Sequence, residues 1–118
     1  MGYWVYLARC GNNTIYTGAT TDLRRRLKEH NGTARGKGAR YTASHLPVTL
    51  AQAWQVGSWS EALRLEYAIK QCPRIEKEQL INQADRISQL AERRNLTFSI
   101  LEVSQEFIHS GDGSLDNK

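Results

Sequence analysis

No apolar run in this 118-residue chain approaches the ~20 residues that a membrane-spanning helix requires, so a membrane protein is not expected. Cysteine is scarce. Cys10 and Cys72 form no Cys-x-x-Cys pair and no histidine stands at finger-like spacing, which argues against a disulfide framework or a structural zinc site. Both read as reduced packing residues, Cys10 at the end of a strand and Cys72 just before Pro73. The opening MGYWVYL lacks the charged lead and long apolar core of a signal peptide, and its bulky, strand-like residues argue against a myristoylation signal. The expected compartment is the cytoplasm. Acids are also few in the first half. Through residue 50 only Asp22 and Glu29 oppose Arg9, Arg24, Arg25, Arg26, Lys28, Arg35, Lys37 and Arg40, a net charge of +6; the remainder carries −2. Such a concentration of cations suits a polyanion through counterion release, while the plain alternative is a solvated face that keeps the protein dispersed.

The length is enough for one domain with a modest core and too little for two. Residues 3–9 (YWVYLAR) and 14–20 (TIYTGAT) have strand composition, and Gly11-Asn12-Asn13 supplies turn chemistry between them. Alternation puts Trp4, Tyr6 and Ala8 on one face. If the turn pairs residues near 8 and 16, Tyr6 and Tyr16 become diagonal neighbours there, with Gly18 leaving room for a close approach. A first helix is predicted from about Asp22 to His30, capped by Thr21 or Asp22. Residues 32–46 read as a mobile basic loop and 48–54 as a third strand. Ser58 and Glu61 have capping-box spacing for a helix over 59–71, and Pro73 opens a third helix expected to continue to about Arg94. Residues 97–103 can form a final strand, and a disordered tail is expected from His109.

Three polar residues fall where these helices should be apolar. The i, i+3, i+4, i+7 template from Leu23 selects Arg26, Leu27 and His30, so a cation and an imidazole border the seam facing the sheet. Arg26 can equally snorkel or pair with Asp22, with His30 satisfying the helix C-terminus. On the second helix, Glu66 falls inside an arc of Ala62, Leu63, Leu65, Tyr67 and Ile69. A carboxylate in such a place calls for a cation or a metal, and an ion pair with Lys70 one turn later is the structural alternative. As a set, these residues fit phosphodiester chemistry. One carboxylate with several waters suits Mg²⁺ rather than a two-metal site, and a guanidinium matches phosphate bidentately. A phenol acts as a base near neutrality only if adjacent positive charge lowers its pKa.

At Trp4-Val5-Tyr6, Tyr16-Thr17-Gly18, DLRRRLKEHN, the GKGARYT loop and EALRLEYAIK, the chain resembles the GIY-YIG endonuclease superfamily, and most of all its small stand-alone bacterial members. The likeness runs from about Tyr3 to Ile81. Trp4 stands where the first motif has Gly and Thr17 where the second has Ile, and neither change removes a chemical group. The resemblance implies an α/β fold, a small sandwich with a central three-stranded, mostly antiparallel sheet flanked by helices. It also implies a nuclease domain over 1–95 and a C-terminal extension over 96–118. The implied activity is metal-dependent hydrolysis of DNA phosphodiesters, structure-selective and linked to DNA repair or recombination.

Carried over residue by residue, the resemblance makes Tyr6 the general base and Tyr16 a second hydroxyl orienting water or phosphate. Arg26 would stabilise phosphate charge, His30 would assist Tyr6 or a phosphate, and Glu66 would hold Mg²⁺ or Mn²⁺. Arg24, Arg25, Lys28, Lys37, Arg40 and Tyr41 are the expected nucleic-acid contacts, with DNA as the partner and RNA also open. Two other readings stay open. One is a non-catalytic nucleic-acid-binding module that retains the fold; the other is a protein-interaction domain in which Arg26, His30 and Glu66 form a structural polar network.

Overall fold

The pleat of a single strand decides what each face of this protein contains. The structure, a computed structural model, describes residues 2–30, 47–96 and 100–103, and the side chains of all of these except His30 and 100–103. Strand β1 (Tyr3–Arg9) is central. It pairs antiparallel with β2 (Ile15–Thr20) on one side and with β3 (Thr49–Val56) on the other. The short strand β4 (Ile100–Val103) adds an antiparallel edge to β3, giving the order β2-β1-β3-β4. The expected three-stranded core is therefore present, extended by the strand anticipated over 97–103.

Three helices cover one face. Val5, Leu7, Trp54 and Val56 point towards α2 (Trp59–Lys70), α3 (Arg74–Asn82) and α4 (Ile87–Arg93), burying Ala62, Leu65, Ala68, Ile69, Leu80, Ile87 and Leu90 among them. Tyr6, Ala8 and Ala53, of the other parity, meet Leu23 and Leu27 of α1 (Leu23–His30), joined by Leu50, which the register shift between Leu7 and Ala8 brings to the same face. The β1–β2 turn works because Asn13 takes a left-handed φ of 68°, which asparagine tolerates, while Asn12 Oδ1 accepts from the Thr14 backbone and hydroxyl. Both cysteines are buried and free, as their composition suggests.

Helix ends follow their sequence signals. Asp22 Oδ1 accepts from the Arg25 N–H at the start of α1. Ser58 caps α2 by accepting from the Glu61 N–H, and Glu61 returns its carboxylate to the Gly57 N–H, one residue earlier than a capping box requires. After α4, Asn95 turns left-handed at φ 56°, with the Leu96 N–H on the Ala91 carbonyl and the Asn95 N–H on that of Glu92. That is a Schellman termination with Asn in the usual glycine position.

The third helix is not continuous from Pro73 to Arg94. It breaks at Gln83, whose backbone is extended (φ −138°, ψ 96°), and a 3₁₀ turn (Ala84–Arg86) leads into α4. Polar side chains of β3 hold the break. Gln52, buried against α3, donates its Nε2 to the carbonyls of Leu80 and Ile81, and Trp54 Nε1 donates to that of Ala84. A carbonyl freed at a helix end needs a donor when water cannot reach it, and Gln52 supplies it at the end of α3. Trp54 adds a second donor at Ala84, whose carbonyl also accepts from the Ile87 N–H. Arg9 adds a bidentate tether from the end of β1 to Glu78 of α3, at 2.8 and 3.0 Å.

Replacing Gln52 with Leu keeps the volume and strands those carbonyls, so stability should fall by about 1–3 kcal/mol. Urea unfolding should show a lower midpoint with an unchanged slope. An unchanged midpoint would mean that the break is held by something else.

Candidate active site

The α1-facing side of the sheet is organised in rows across its three central strands. Gln55, Trp4 and Thr20 form one row; Ala53, Tyr6 and Gly18 form the next. Ala8 lies opposite Tyr16 in the row after that, which makes the two tyrosines diagonal neighbours with ring centroids 6.4 Å apart. Small residues flank Tyr6 on both sides because its ring takes the space. A Cβ on Gly18 would lie 2.5 Å from Tyr6 Oη and 2.6 Å from its Cζ. Only glycine fits.

Helix α1 brings Arg26 onto this face. The Arg26 side chain is 15% exposed, and its guanidinium donates towards both the Tyr6 and the Tyr16 hydroxyls. It is held from behind by Glu29, whose Oε1 accepts from Arg26 Nη1 at 2.6 Å and whose Oε2 accepts from Arg25 Nη1 at 3.2 Å. Burial opposes the Arg26 charge, but Glu29 and the two phenols together outweigh it and secure the protonated state. The partner is thus Glu29 rather than Asp22, and Arg26 does not snorkel. Glu29 escaped the sequence reading, although its i+3 and i+4 spacing from Arg26 and Arg25 is the available signal.

Tyr6 itself is fully buried. Burial holds its phenol above the ordinary value of 10.0; Arg26 pulls it down, while Tyr16 and Glu66 push it further up. The lowering expected from adjacent positive charge is present but outweighed, because a phenolate cut off from water loses more than one guanidinium returns.

Glu66 lies on α2, which packs over β1 and β2 from the opposite face; β2 is an edge strand, and the carboxylate is close enough for its charge to register on Tyr6. It is not in the middle of an apolar arc. Leu63 and Tyr67 are exposed, the buried stripe is Ala62, Leu65, Ala68 and Ile69, and Glu66 borders it, pairing with Lys70 at 3.2 Å. The anticipated alternative partner is therefore present. Arg24 and Lys28 are on the exposed side of α1, as is Arg25, which reaches back to Glu29 and towards Asp22. His30 ends α1, but its side chain, together with Lys37, Arg40 and Tyr41, lies outside the described residues. Among the described residues, no three His, Cys, Asp or Glu side chains gather as metal ligands.

A family model for the GIY-YIG catalytic domain matches residues 2–79. The chain belongs to the GIY-YIG family. A UPF0213 protein of Halobacterium salinarum is 50% identical over 76 residues, 64% of this chain and 95% of that protein. A UPF0213 protein of Halalkalibacterium halodurans is 44% identical over 82 residues, covering 70% and 84% of the two chains. The solution NMR structure of the UPF0213 protein BH0048 from Bacillus halodurans aligns with a TM-score of 0.46 and 36% identity, covering 82% of this chain and 100% of that one. Tyr6, Tyr16, Arg26 and Glu66 all fall within the GIY-YIG match, whereas α4 and β4 lie beyond it.

Two outcomes test this packing. Gly18→Ala should cost about 1–3 kcal/mol through overpacking, and Tyr6→Leu in the same background should recover part of it. Strictly additive melting shifts would remove the contact from the account. Because the folded phenol binds its proton more tightly than the unfolded one, the stability it contributes is intact below pH 10 and declines as pH rises past that value. Urea midpoints on either side of pH 10 should therefore fall more steeply for the wild type than for Tyr6→Phe. Parallel slopes would contradict the raised phenol.

Proposed function

We propose that this protein is a nucleic-acid phosphodiesterase, an endonuclease that engages a backbone phosphate at Arg26 and cleaves with the help of one divalent ion. The observation that carries this reading is the convergence of two phenols on a single guanidinium fixed from behind by Glu29. With one edge committed to Glu29, Arg26 has its remaining N–H groups on the phenol side, where a phosphate oxygen can accept them. Tyr16, half-buried beside Tyr6, offers a hydroxyl to orient water or phosphate. Tyr6, neutral in its buried setting, accepts from Arg26 and so keeps the guanidinium beside Tyr16.

The donor set fits a hard, largely hydrated cation. Glu66 is one partly exposed carboxylate, and its lysine partner is half exposed and free to swing into water when a cation takes its place. Glu66 would hold Mg²⁺ or Mn²⁺, and when bound the ion would supply the positive charge that polarises a phosphate oxygen. The exposed cations Arg24, Arg25 and Lys28 on α1 suit a polyanion. Lys37, Arg40 and Tyr41, outside the described residues, are the further contacts this reading assigns. DNA is the partner this reading assigns, in the cytoplasm, with a role in repair or recombination; RNA presents the same phosphates.

A second reading, a nucleic-acid-binding module without cleavage, is favoured by two observations. Glu66 already has an ion-pair partner, and Tyr6 is held above rather than below its ordinary pKa. Glu66→Ala separates the two. If the protein is a nuclease, Mg²⁺-dependent cleavage of a panel of duplex, single-stranded, flap and junction DNA plus RNA should disappear in the variant while affinity stays equal or rises. Arg26→Ala should weaken binding and also lower the melting temperature, since Glu29 is left buried without its main partner. Binding by the wild type with no cleavage of any substrate would establish the second reading instead.

A further inference from the structure

Beside the tyrosines lies a concavity of about 340 Å³ whose lining includes Gly2, Trp4, Asp22, Leu23, Arg24 and Gln55 at the start of α1. Its size is at the lower end of the ~300–1,000 Å³ range typical of small-ligand sites. Trp4 and Gln55 face each other across β1 and β3, one row before Tyr6 and Ala53. The indole packs its inner side on the Tyr6 cluster and remains partly exposed. The Gln55 carboxamide sits directly against Gly2, in space that any side chain at residue 2 would fill. Among the described residues, neither the Trp4 indole N–H nor that carboxamide has a hydrogen-bond partner. The family motif has glycine at the position of Trp4, so the motif does not account for the indole.

The chemistry of the lining discriminates between ligands. A phosphate inside the concavity would face the Asp22 carboxylate, and an aliphatic group would leave the Gln55 amide unsatisfied. A nucleobase meets neither objection. Its face stacks on the indole, its edge carries donors and acceptors for the carboxamide, and an exocyclic amino group can donate to Asp22. Arg24 at the rim is placed for the attached backbone. Along β1, Trp4 is two residues, ~6–7 Å, from Tyr6, a span that one nucleotide covers. A base within a duplex stack cannot present its face to the indole.

We propose that this concavity is a subsite for one unpaired nucleobase, that of the nucleotide adjoining the phosphate held at Arg26. The inference rests on the nucleic-acid reading above and adds its substrate class, nucleic acid with an unpaired base beside the engaged phosphate.

The test uses the full chain in EDTA, so that affinity is read without cleavage. Fluorescence anisotropy would compare a single-stranded DNA oligonucleotide, an abasic strand of the same length and the fully paired duplex. The wild type should prefer the single strand to both others. Trp4→Ala should weaken single-strand binding by about 5- to 150-fold and leave duplex binding unchanged, while Trp4→Phe retains most of the affinity. Gln55→Ala, which leaves the indole in place, should weaken single-strand binding and flatten any preference among bases. If the abasic strand binds as well as the natural one, or Gln55→Ala and Trp4→Ala variants that melt normally bind the single strand like the wild type, the base subsite is refuted while the nucleic-acid reading stands. If the wild type binds no nucleic acid, both fall together.

Discussion

The arrangement around Tyr6 depends on one steric fact: its phenol occupies the volume where residue 18 would otherwise carry a side chain. That contact fixes the ring against β2 and turns the hydroxyl towards α1, where Arg26 meets it. The guanidinium would be costly so deep in the structure without a counterion, and Glu29 provides one from the next turn of the same helix. Glu29 in turn is nearly buried and is acceptable there because two arginines share it. Glycine, phenol, guanidinium and carboxylate thus form a chain in which each member is tolerable only because of the next.

The sheet separates this polar construction from the main apolar core. Tyr3, Val5 and Leu7 of β1 pack into the three-helix side, where Arg9 follows them to Glu78, while the even-numbered residues are the aromatic and small ones of the candidate site. Mechanical support and chemistry are therefore assigned to opposite faces of one strand. The three-helix side has its own polar requirement at the Gln83 break, met by Gln52 and Trp54 from β3. Glu66 belongs to the supporting layer, yet its charge reaches Tyr6. It pairs with a half-exposed Lys70 on a flank, where a stronger cation can compete for the carboxylate.

Local rules were sufficient for much of this. The hairpin register, the diagonal tyrosines, both tested N-caps and the helix over 59–70 follow from turn chemistry, a period of two and cap residues, all of which act within a few positions. The misplacements share another origin. Glu66 was assigned to an apolar arc that included Leu63 and Tyr67, but which stripe of an amphipathic helix is buried depends on what it packs against. The continuous third helix had a good periodic pattern; side chains more than twenty-five residues earlier decided that it would break. Glu29 is buried by the docking of α1 against the sheet, which no neighbour along the chain dictates. For Tyr6, proximity to a cation is legible in the sequence and the depth of burial is not, and burial sets the direction of its shift.

By itself, then, the amino-acid sequence determined the strands, the caps, the face shared by the two tyrosines and membership of a family whose motifs it carries in order. These properties depend on interactions between near neighbours along the chain. Only the tertiary structure decided the partner of Arg26, the protonation of Tyr6, the flank on which Glu66 lies and the walls of the concavity beside Trp4. Each of those is set by desolvation or by contact between elements far apart in sequence. Neither quantity exists until α1 and α2 have closed over the two faces of the sheet.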